Sequence, residues 1–210
     1  MSFVNFNPAP NFNDMLYELL KEFEAPHDDP RNIGDGKITI GLGFNLTDGE
    51  PDVQNAVFDA LGIKRTGGST AQRAAEDVYI SRLRTAIQNN NIAELHRIMD
   101  ERSRDNVLDG FADDRHSRFE FWDRDGNGST DDEIRQAFDA ALPSYQNLIF
   151  AKPGYGLLDG AVDADGTPYA GSREEMVLLS LAWNGGTGLL GDKLRRALTE
   201  DGNRAEAWFE

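Results

Sequence analysis

The sequence lacks cysteine and is poor in basic residues. Without cysteine, the 210-residue chain has no disulfide framework, no thiolate metal site and no cysteine nucleophile. It has 21 Lys and Arg residues and 37 Asp and Glu residues, which gives a formal net charge of -16. This charge argues against a general nucleic-acid binder and against docking on an anionic membrane, because both tasks favour basic surfaces. Cation binding, and solubility through self-repulsion, remain as the usual meanings of so much acid.

Long apolar runs are also missing. No run approaches the roughly 18–20 residues that a membrane-spanning helix needs. The first eight residues have neither the basic nor the apolar region of a secretory signal peptide. We therefore expect no membrane insertion. Residues 204–210 (RAEAWFE) are typical of an amphipathic helix cut off in mid-turn, so we expect the natural chain to continue.

Aromatic residues are plentiful and helical spacing dominates the pattern. Twelve Phe, three Trp and five Tyr are ample for a packed core. Apolar spacing and capping residues predict helices over 12–24, 53–61, 69–89, 92–99, 105–122, 130–142, 173–183 and 189–198. A β-branched run over 37–44 predicts a strand after the turn at 34–36. The fold class is therefore α+β, mostly α, with one small hairpin.

Four segments follow from this pattern. Residues 1–62 hold the first helix and the hairpin, and residues 63–122 form a helical insert. Residues 123–142 hold a Gly/Asp-rich loop and the next helix. Residues 143–210 form a C-terminal helical lobe, which we expect to be truncated.

Glu24 and Thr39 carry the first chemical hypothesis. Glu24 ends the first predicted helix, and Thr39 follows fifteen residues later on the hairpin. A β-hairpin can fold back by that much and bring a strand hydroxyl opposite a helix-end carboxylate. A carboxylic acid facing a hydroxyl-held water across a cleft is the geometry of an inverting glycosidase. A solvated surface glutamate is the competing interpretation of Glu24.

Three blocks of the sequence resemble phage T4-type lysozymes, glycoside hydrolase family 24. The first is Glu24 followed, at the family's own spacing, by TIGLG at residues 39–43. The second is WNGGTG at residues 183–188, followed by a Leu- and Arg-containing helix. The third and looser block is Thr130-x-x-Glu133. The blocks occur in the family's order and together cover about a third of the chain.

The resemblance implies a lysozyme-like fold of two lobes, a small β-hairpin lobe and a helical lobe around a buried central helix. It implies that Glu24 is the general acid and that Thr39 helps to hold the nucleophilic water. It implies that Asn184 contacts substrate and that Phe44 lies near a cleft-lining position. From the residues alone, Asn184 is equally well explained as a helix C-cap before Gly185.

The sequence departs from the family at the second acid. The family's position, nine residues after the glutamate, is Ile33 here. Asp28, Asp29 and Asp35 lie nearby. We favour Asp35, because it sits in the turn just before the strand of Thr39. An ordinary Asp-Gly turn explains Asp35 at least as well, so the second carboxylate stays open.

Residues 123–131 (DRDGNGSTD) match the first nine positions of an EF-hand calcium loop. The oxygen-bearing residues at the ligand positions are Asp123, Asp125, Asn127, Ser129 and Asp131. Position twelve is Ile134 instead of glutamate, so we expect Asp132 or Glu133 to close the site. The alternative is that Thr130 and Glu133 form a capping box for the next helix.

The sequence thus predicts a peptidoglycan hydrolase that cleaves the β-1,4 bond between N-acetylmuramic acid and N-acetylglucosamine. No cofactor is needed for the chemistry, and a structural Ca²⁺ is expected. The alternatives are a non-catalytic calcium-binding helical module and a chitinase-like hydrolase. We expect bacterial peptidoglycan as partner, in the periplasm or cell wall, reached through a holin or a dedicated secretion machine. Delivery as an effector would add an immunity protein.

Overall fold

The computed structural model describes residues 5–32, 34, 36–48, 51–112 and 116–200. Within these residues it is a mixed α+β structure, mostly helical, which confirms the predicted fold class. The elements in chain order are α1 (Phe12–Glu24), β1 (His27–Arg31), β2 (Thr39–Gly41), β3 (Phe44–Asn45), α2 (Pro51–Ala60), α3 (Thr70–Gln88), α4 (Ile92–Arg102), α5 (Asp131–Phe150), α6 (Arg173–Gly185) and α7 (Asp192–Thr199). Among the helices described, none is long and apolar enough to cross a bilayer.

The chain divides into two compact units. The terminal unit comprises Met1–Glu24 together with Leu142–Glu210, and the central unit comprises Ala25–Ala141. Helix α1 therefore groups with the C-terminal helices, whereas the sequence pattern grouped it with the hairpin. The first half of α5 belongs to the central unit and its second half to the terminal unit.

The terminal unit is built on the packing of α1 against α6. Leu16, Tyr17 and Leu20 form the buried face of α1, which has the bounds that its apolar spacing predicts. Helix α6 is capped by Ser172, whose hydroxyl accepts the Glu175 N–H at 3.1 Å. These two helices position Glu24 at the end of one and Asn184 near the end of the other.

The central unit holds the sheet, whose strand order is β1-β2-β3 with antiparallel pairing throughout. The predicted strand over 37–44 is interrupted, because Gly41 and Gly43 adopt left-handed backbone with φ of +64° and +74°. The chain turns there, so β2 and β3 form a tight second hairpin in place of one long strand. Ile38, Ile40 and Leu42 are fully buried beneath it.

Helices α3 and α4 pack together in the central unit. Ser69 and Gln72 form the capping box at the start of α3, where the sequence predicts the helix to begin. The predicted helix over 105–122 is wrong, since its described residues form turns. Gly110 has a φ of +67°, which a helix does not allow. The side chains of Leu108, Phe111 and Phe119 are buried, although the backbone that carries them is irregular.

Candidate active site

Glu24 is the last residue of α1 and is half-buried. Among the described residues, its carboxylate forms neither an ion pair nor a hydrogen bond. Burial raises the pKa of Glu24 above its ordinary value, because desolvation penalises the charged form. The next residue, Ala25, has a φ of +45°, so the chain leaves the helix through a left-handed residue. Glu24 therefore differs from a fully solvated helix-end glutamate both in its burial and in the direction of its pKa shift.

Tyr145 and Trp183 form a stacked pair in the terminal unit. Their ring centroids are 4.0 Å apart with an interplanar angle of 22°, and both side chains are nearly fully buried. Burial and, to a lesser extent, the charge of Glu24 raise the pKa of Tyr145. The phenol therefore lies within electrostatic reach of the Glu24 carboxylate. Sequence reasoning missed Tyr145, because its spacing from Phe138 and Leu142 on α5 is that of an ordinary core position.

Asn184 directly follows Trp183 on α6 and is exposed. Its amide lies 3.5 Å from the Ser180 hydroxyl. The C-cap of the helix is Gly186, with a φ of +71°, so the interpretation of Asn184 as the C-cap is wrong. The structure thus leaves the Asn184 amide on the surface of the terminal unit, one residue along α6 from the buried Trp183.

Thr39 opens β2 and is half-buried in the central unit. Its backbone is held from both sides, opposite Arg31 on β1 and Asn45 on β3. The Thr39 carbonyl also accepts a hydrogen bond from Nε2 of His27 at 3.2 Å. Burial, the largest cause, lowers the pKa of His27, which favours the neutral ring. The strand thus fixes Thr39 firmly.

The three candidates for the second acid have different surroundings. Asp35 lies outside the described residues. The Asp28 carboxylate accepts a hydrogen bond from the Thr130 hydroxyl at 2.5 Å. Asp29 is exposed and contacts Arg31 at 3.4 Å. Both described candidates therefore already have partners within the central unit.

Phe44 is fully buried, so its prediction as a substrate contact is wrong in this structure. The reason is Gly41, at which an added Cβ would lie 2.9 Å from the Phe44 and Phe121 rings. The Phe44 ring fills the space that the glycine leaves in the core of the central unit. Its packing against Gly41 stabilises the turn between β2 and β3.

The loop over 123–131 folds around the Asp123 carboxylate. Its oxygens accept the N–H groups of Asn127 at 3.0 Å and Gly128 at 2.6 Å. The Asn127 side chain in turn accepts from the Ser129 N–H, and the Ser129 hydroxyl accepts from the Asp131 N–H. Desolvation is the largest single cause and raises the pKa of Asp123, but the hydrogen bonds from backbone N–H groups and from Asp125 together outweigh it and lower this pKa below its ordinary value. Gly128, at loop position six, has the left-handed φ of +86° that this sharp turn requires.

Glu133 turns away from this loop, although the sequence offers it as a closing ligand. Its carboxylate is fully buried, accepts the Trp122 N–H and pairs with Arg124 at 3.2 Å. Nε2 of His116 lies 3.3 Å from the same carboxylate. The Thr130 hydroxyl donates to Asp28, so the predicted capping box of Thr130 and Glu133 is replaced by these contacts. Glu133 thus anchors the first turn of α5 in the core.

The ligand set for calcium is therefore smaller than predicted. Asp123, Asp125, Asn127 and Ser129 lie on the exposed loop, and Asp131 begins α5. Within the described ranges, no group of three or more His, Asp or Glu side chains is arranged to hold a metal ion. The calcium site stays a prediction, with Asp132 as the remaining closing candidate.

No protein-family model, curated protein or solved structure matches this chain. The likeness to T4-type lysozymes thus rests on the three sequence blocks.

Proposed function

We propose that this protein is a peptidoglycan hydrolase of the lysozyme type, with Glu24 as its general acid. The observation that carries the proposal is the half-buried Glu24 carboxylate, whose pKa is raised by burial and which has no ion-pair partner among the described residues. An acid that must protonate a glycosidic oxygen needs its proton near working pH, and burial is the usual means of keeping it there.

In the proposed reaction, Glu24 gives its proton to the leaving glycosidic oxygen while the bond from that oxygen to the sugar C1 breaks. Water attacks C1 from the opposite face, so the anomeric configuration inverts. Thr39 helps to hold this water, and Asp35 accepts its proton as general base. The role of Thr39 rests on the sequence resemblance, and that of Asp35 rests on its position in the sequence just before the strand of Thr39.

Substrate contact is assigned to Asn184. Its exposed amide offers both a donor and an acceptor, which suits the N-acetyl group of an amino sugar. Trp183, the preceding residue of α6, is nearly fully buried and stacks on Tyr145 in the core of the same unit. We expect Asn184→Ala to weaken substrate binding more than it lowers the maximal rate.

The activity is tested by digesting purified peptidoglycan and identifying the products by mass spectrometry. The proposal predicts fragments that end in a reducing N-acetylmuramic acid with one water added. Chitin oligomers, tested in parallel, separate a chitinase-like activity, which would cleave them in preference to peptidoglycan. Failure to cleave peptidoglycan, or products that end in an anhydro sugar, would contradict the proposed water step.

We also propose a structural calcium ion at the loop over 123–131. Its support is the sequence match and the carboxylates of half-buried Asp123 and exposed Asp125, which the folded loop brings together around Asn127. The proposal predicts that calcium, unlike equimolar magnesium, raises the melting temperature, and that Asp123→Asn removes the rise. Asp109→Asn, on a neighbouring exposed turn, serves as the control. If calcium stabilises the wild type while peptidoglycan stays intact, the non-catalytic calcium module replaces the hydrolase.

A further inference from the structure

The edge strand of the small sheet is weakly paired along its middle. β1 is one of the two edge strands, and its pairing with β2 is regular only at His27 and Arg31, with an irregularity between them. Pro30, within this stretch, has no N–H to donate. The strand therefore depends on contacts from outside the sheet to keep its position.

Asp28 receives two such contacts, one on its backbone and one on its side chain. The Phe121 N–H donates to the Asp28 carbonyl at 2.8 Å. The Thr130 hydroxyl donates to Oδ1 of Asp28 at 2.5 Å, across 102 positions of sequence. In this bond Asp28 serves as a hydrogen-bond acceptor.

The groups that hold Asp28 are themselves anchored. The Phe121 ring is buried beside Gly41, and the next residue, Trp122, donates its N–H to the buried Glu133 carboxylate. Thr130 immediately precedes α5, the helix that carries Glu133. Asp28 therefore joins the edge of the sheet to the start of α5, entirely within the central unit.

From β1 the connection continues to Thr39. His27, next to Asp28, pairs with Gly41 of β2, and its ring contacts the Thr39 carbonyl. The backbone position of Thr39 thus depends on the position of β1.

We propose that Asp28 is a positioning residue that holds the strand of Thr39 through Thr130 and Phe121, and that it does not supply the second carboxylate. The expected effect of Asp28 on turnover rests on the proposed function. The structural link from Asp28 to the strand of Thr39 does not depend on that function. Asp28 acts as a hydrogen-bond acceptor, a task that an asparagine amide oxygen also performs. A general base, by contrast, has to take a proton, and an amide cannot do so.

The variants Asp28→Asn, Asp28→Ala, Thr130→Ser and Thr130→Val separate these roles. Positioning predicts that Asp28→Asn and Thr130→Ser keep kcat on peptidoglycan within about twofold. Asp28→Ala and Thr130→Val should each lower kcat about tenfold with little change in KM. The double variant should have the same kcat as either single variant, because both substitutions remove the same hydrogen bond. Loss of turnover in Asp28→Asn together with full activity in Thr130→Val would overturn the inference.

Amide hydrogen exchange tests the connection without using activity. We expect Asp28→Ala and Thr130→Val to speed exchange in residues 39–45 by about tenfold, while Asp28→Asn leaves it unchanged. Exchange in α7, in the terminal unit, should be the same in all variants. Unchanged exchange over 39–45 in both truncating variants would overturn the inference. If the wild type does not cleave peptidoglycan, the function fails and the exchange data still decide the role of Asp28.

Discussion

At the scale of single residues, burial of the Glu24 carboxylate costs stability when the group is charged. The folded-state pKa of Glu24 is raised by burial, so the folded protein holds this proton more tightly than the unfolded chain. The favourable contribution is complete below the unfolded pKa and is lost as pH rises through the folded one. Above that pKa, the charged Glu24 carboxylate opposes folding.

We therefore expect Glu24→Gln to change the stability of the protein in a pH-dependent way. The variant should melt at a higher temperature than the wild type at pH 7, because the amide carries no charge to bury. The difference should shrink as pH falls through the pKa of Glu24, where the wild-type carboxyl also becomes neutral. Differential scanning calorimetry from pH 7 to pH 4 measures it, and Glu22→Gln, on the exposed side of the same helix, is the control. A variant less stable than the wild type at pH 7 would contradict the assignment of Glu24 as a destabilising buried charge.

Gly41 is the second position where one residue decides local structure. Its left-handed φ acts together with the Phe44 and Phe121 rings, which would lie 2.9 Å from an added Cβ. We expect Gly41→Ala to cost about 2–4 kcal/mol in the free energy of unfolding, from backbone strain and overpacking. Gly110→Ala has nearly the same φ, +67°, but open space around it, so it should cost only about 1–2 kcal/mol. Urea denaturation measures the free energy of unfolding of both variants. Equal decreases would show that the Phe44 and Phe121 rings move aside at no cost.

At the scale of elements, the helices with clear caps and apolar faces were predictable. Helix α1 follows from its apolar spacing, and α3 and α6 follow from the capping residues Ser69 and Ser172. The segment 105–122 was not predictable in this way, because its buried aromatic residues face the core from turns. The split between β2 and β3 was missed because the positive φ of Gly41 and Gly43 interrupts an otherwise β-branched pattern.

The candidate site was predictable to a similar degree. Glu24 could be named from its motif, but its half-burial depends on packing that no local pattern contains. Glu133 is the clearest case of a side chain whose direction the sequence motif did not predict. It lies one position before the EF-hand closing position, and on a helix one residue turns a side chain by about 100°. That rotation directs Glu133 into the core toward Trp122 and Arg124.

The pairing of α3 with α4 depends on a buried ion pair. Glu76 and Arg102 are both nearly inaccessible, with two hydrogen bonds of 2.8 and 2.7 Å between them. The Lys64 N–H also donates to Glu76, and Arg102 also donates to the Gly62 carbonyl. The pair therefore ties both helices to the chain that follows α2.

We predict that Glu76→Gln lowers the free energy of unfolding by about 3–5 kcal/mol, because it leaves the Arg102 charge buried without its counter-ion. Arg97→Ala, which removes the exposed pairs with Glu94 and Glu101, is the matched control and should scarcely change stability. The two are compared by urea denaturation at one pH. Similar small losses in both variants would mean that the buried pair contributes no more than a surface pair.

At the scale of the whole molecule, the net charge of -16 is the feature that the proposed function must accommodate. Residues 105–133 carry ten acidic residues against three arginines, so much of the excess lies in and before the loop of Asp123. Peptidoglycan is itself anionic, and the two charges oppose association. The acid therefore fits local cation binding better than it fits attraction to the cell wall.

Salt should accordingly promote cleavage. Raising NaCl from about 20 to about 150 mM shortens the Debye length from roughly 20 to 8 Å and screens the repulsion. We expect the apparent second-order rate on intact peptidoglycan to rise severalfold over this range. A fall in rate, as a basic enzyme attracted to the wall would show, would contradict this explanation of the charge.

The central claim is that Glu24 supplies the proton for glycosidic bond cleavage. The most direct test compares the release of reducing N-acetylmuramic acid ends from purified peptidoglycan by the wild type, Glu24→Gln and Glu22→Gln. We predict that Glu24→Gln loses at least about 100-fold in rate, as expected when a general acid is removed, while it remains folded. Glu22→Gln, two residues away and exposed, should match the wild type. Cleavage by folded Glu24→Gln at the wild-type rate would contradict the claim.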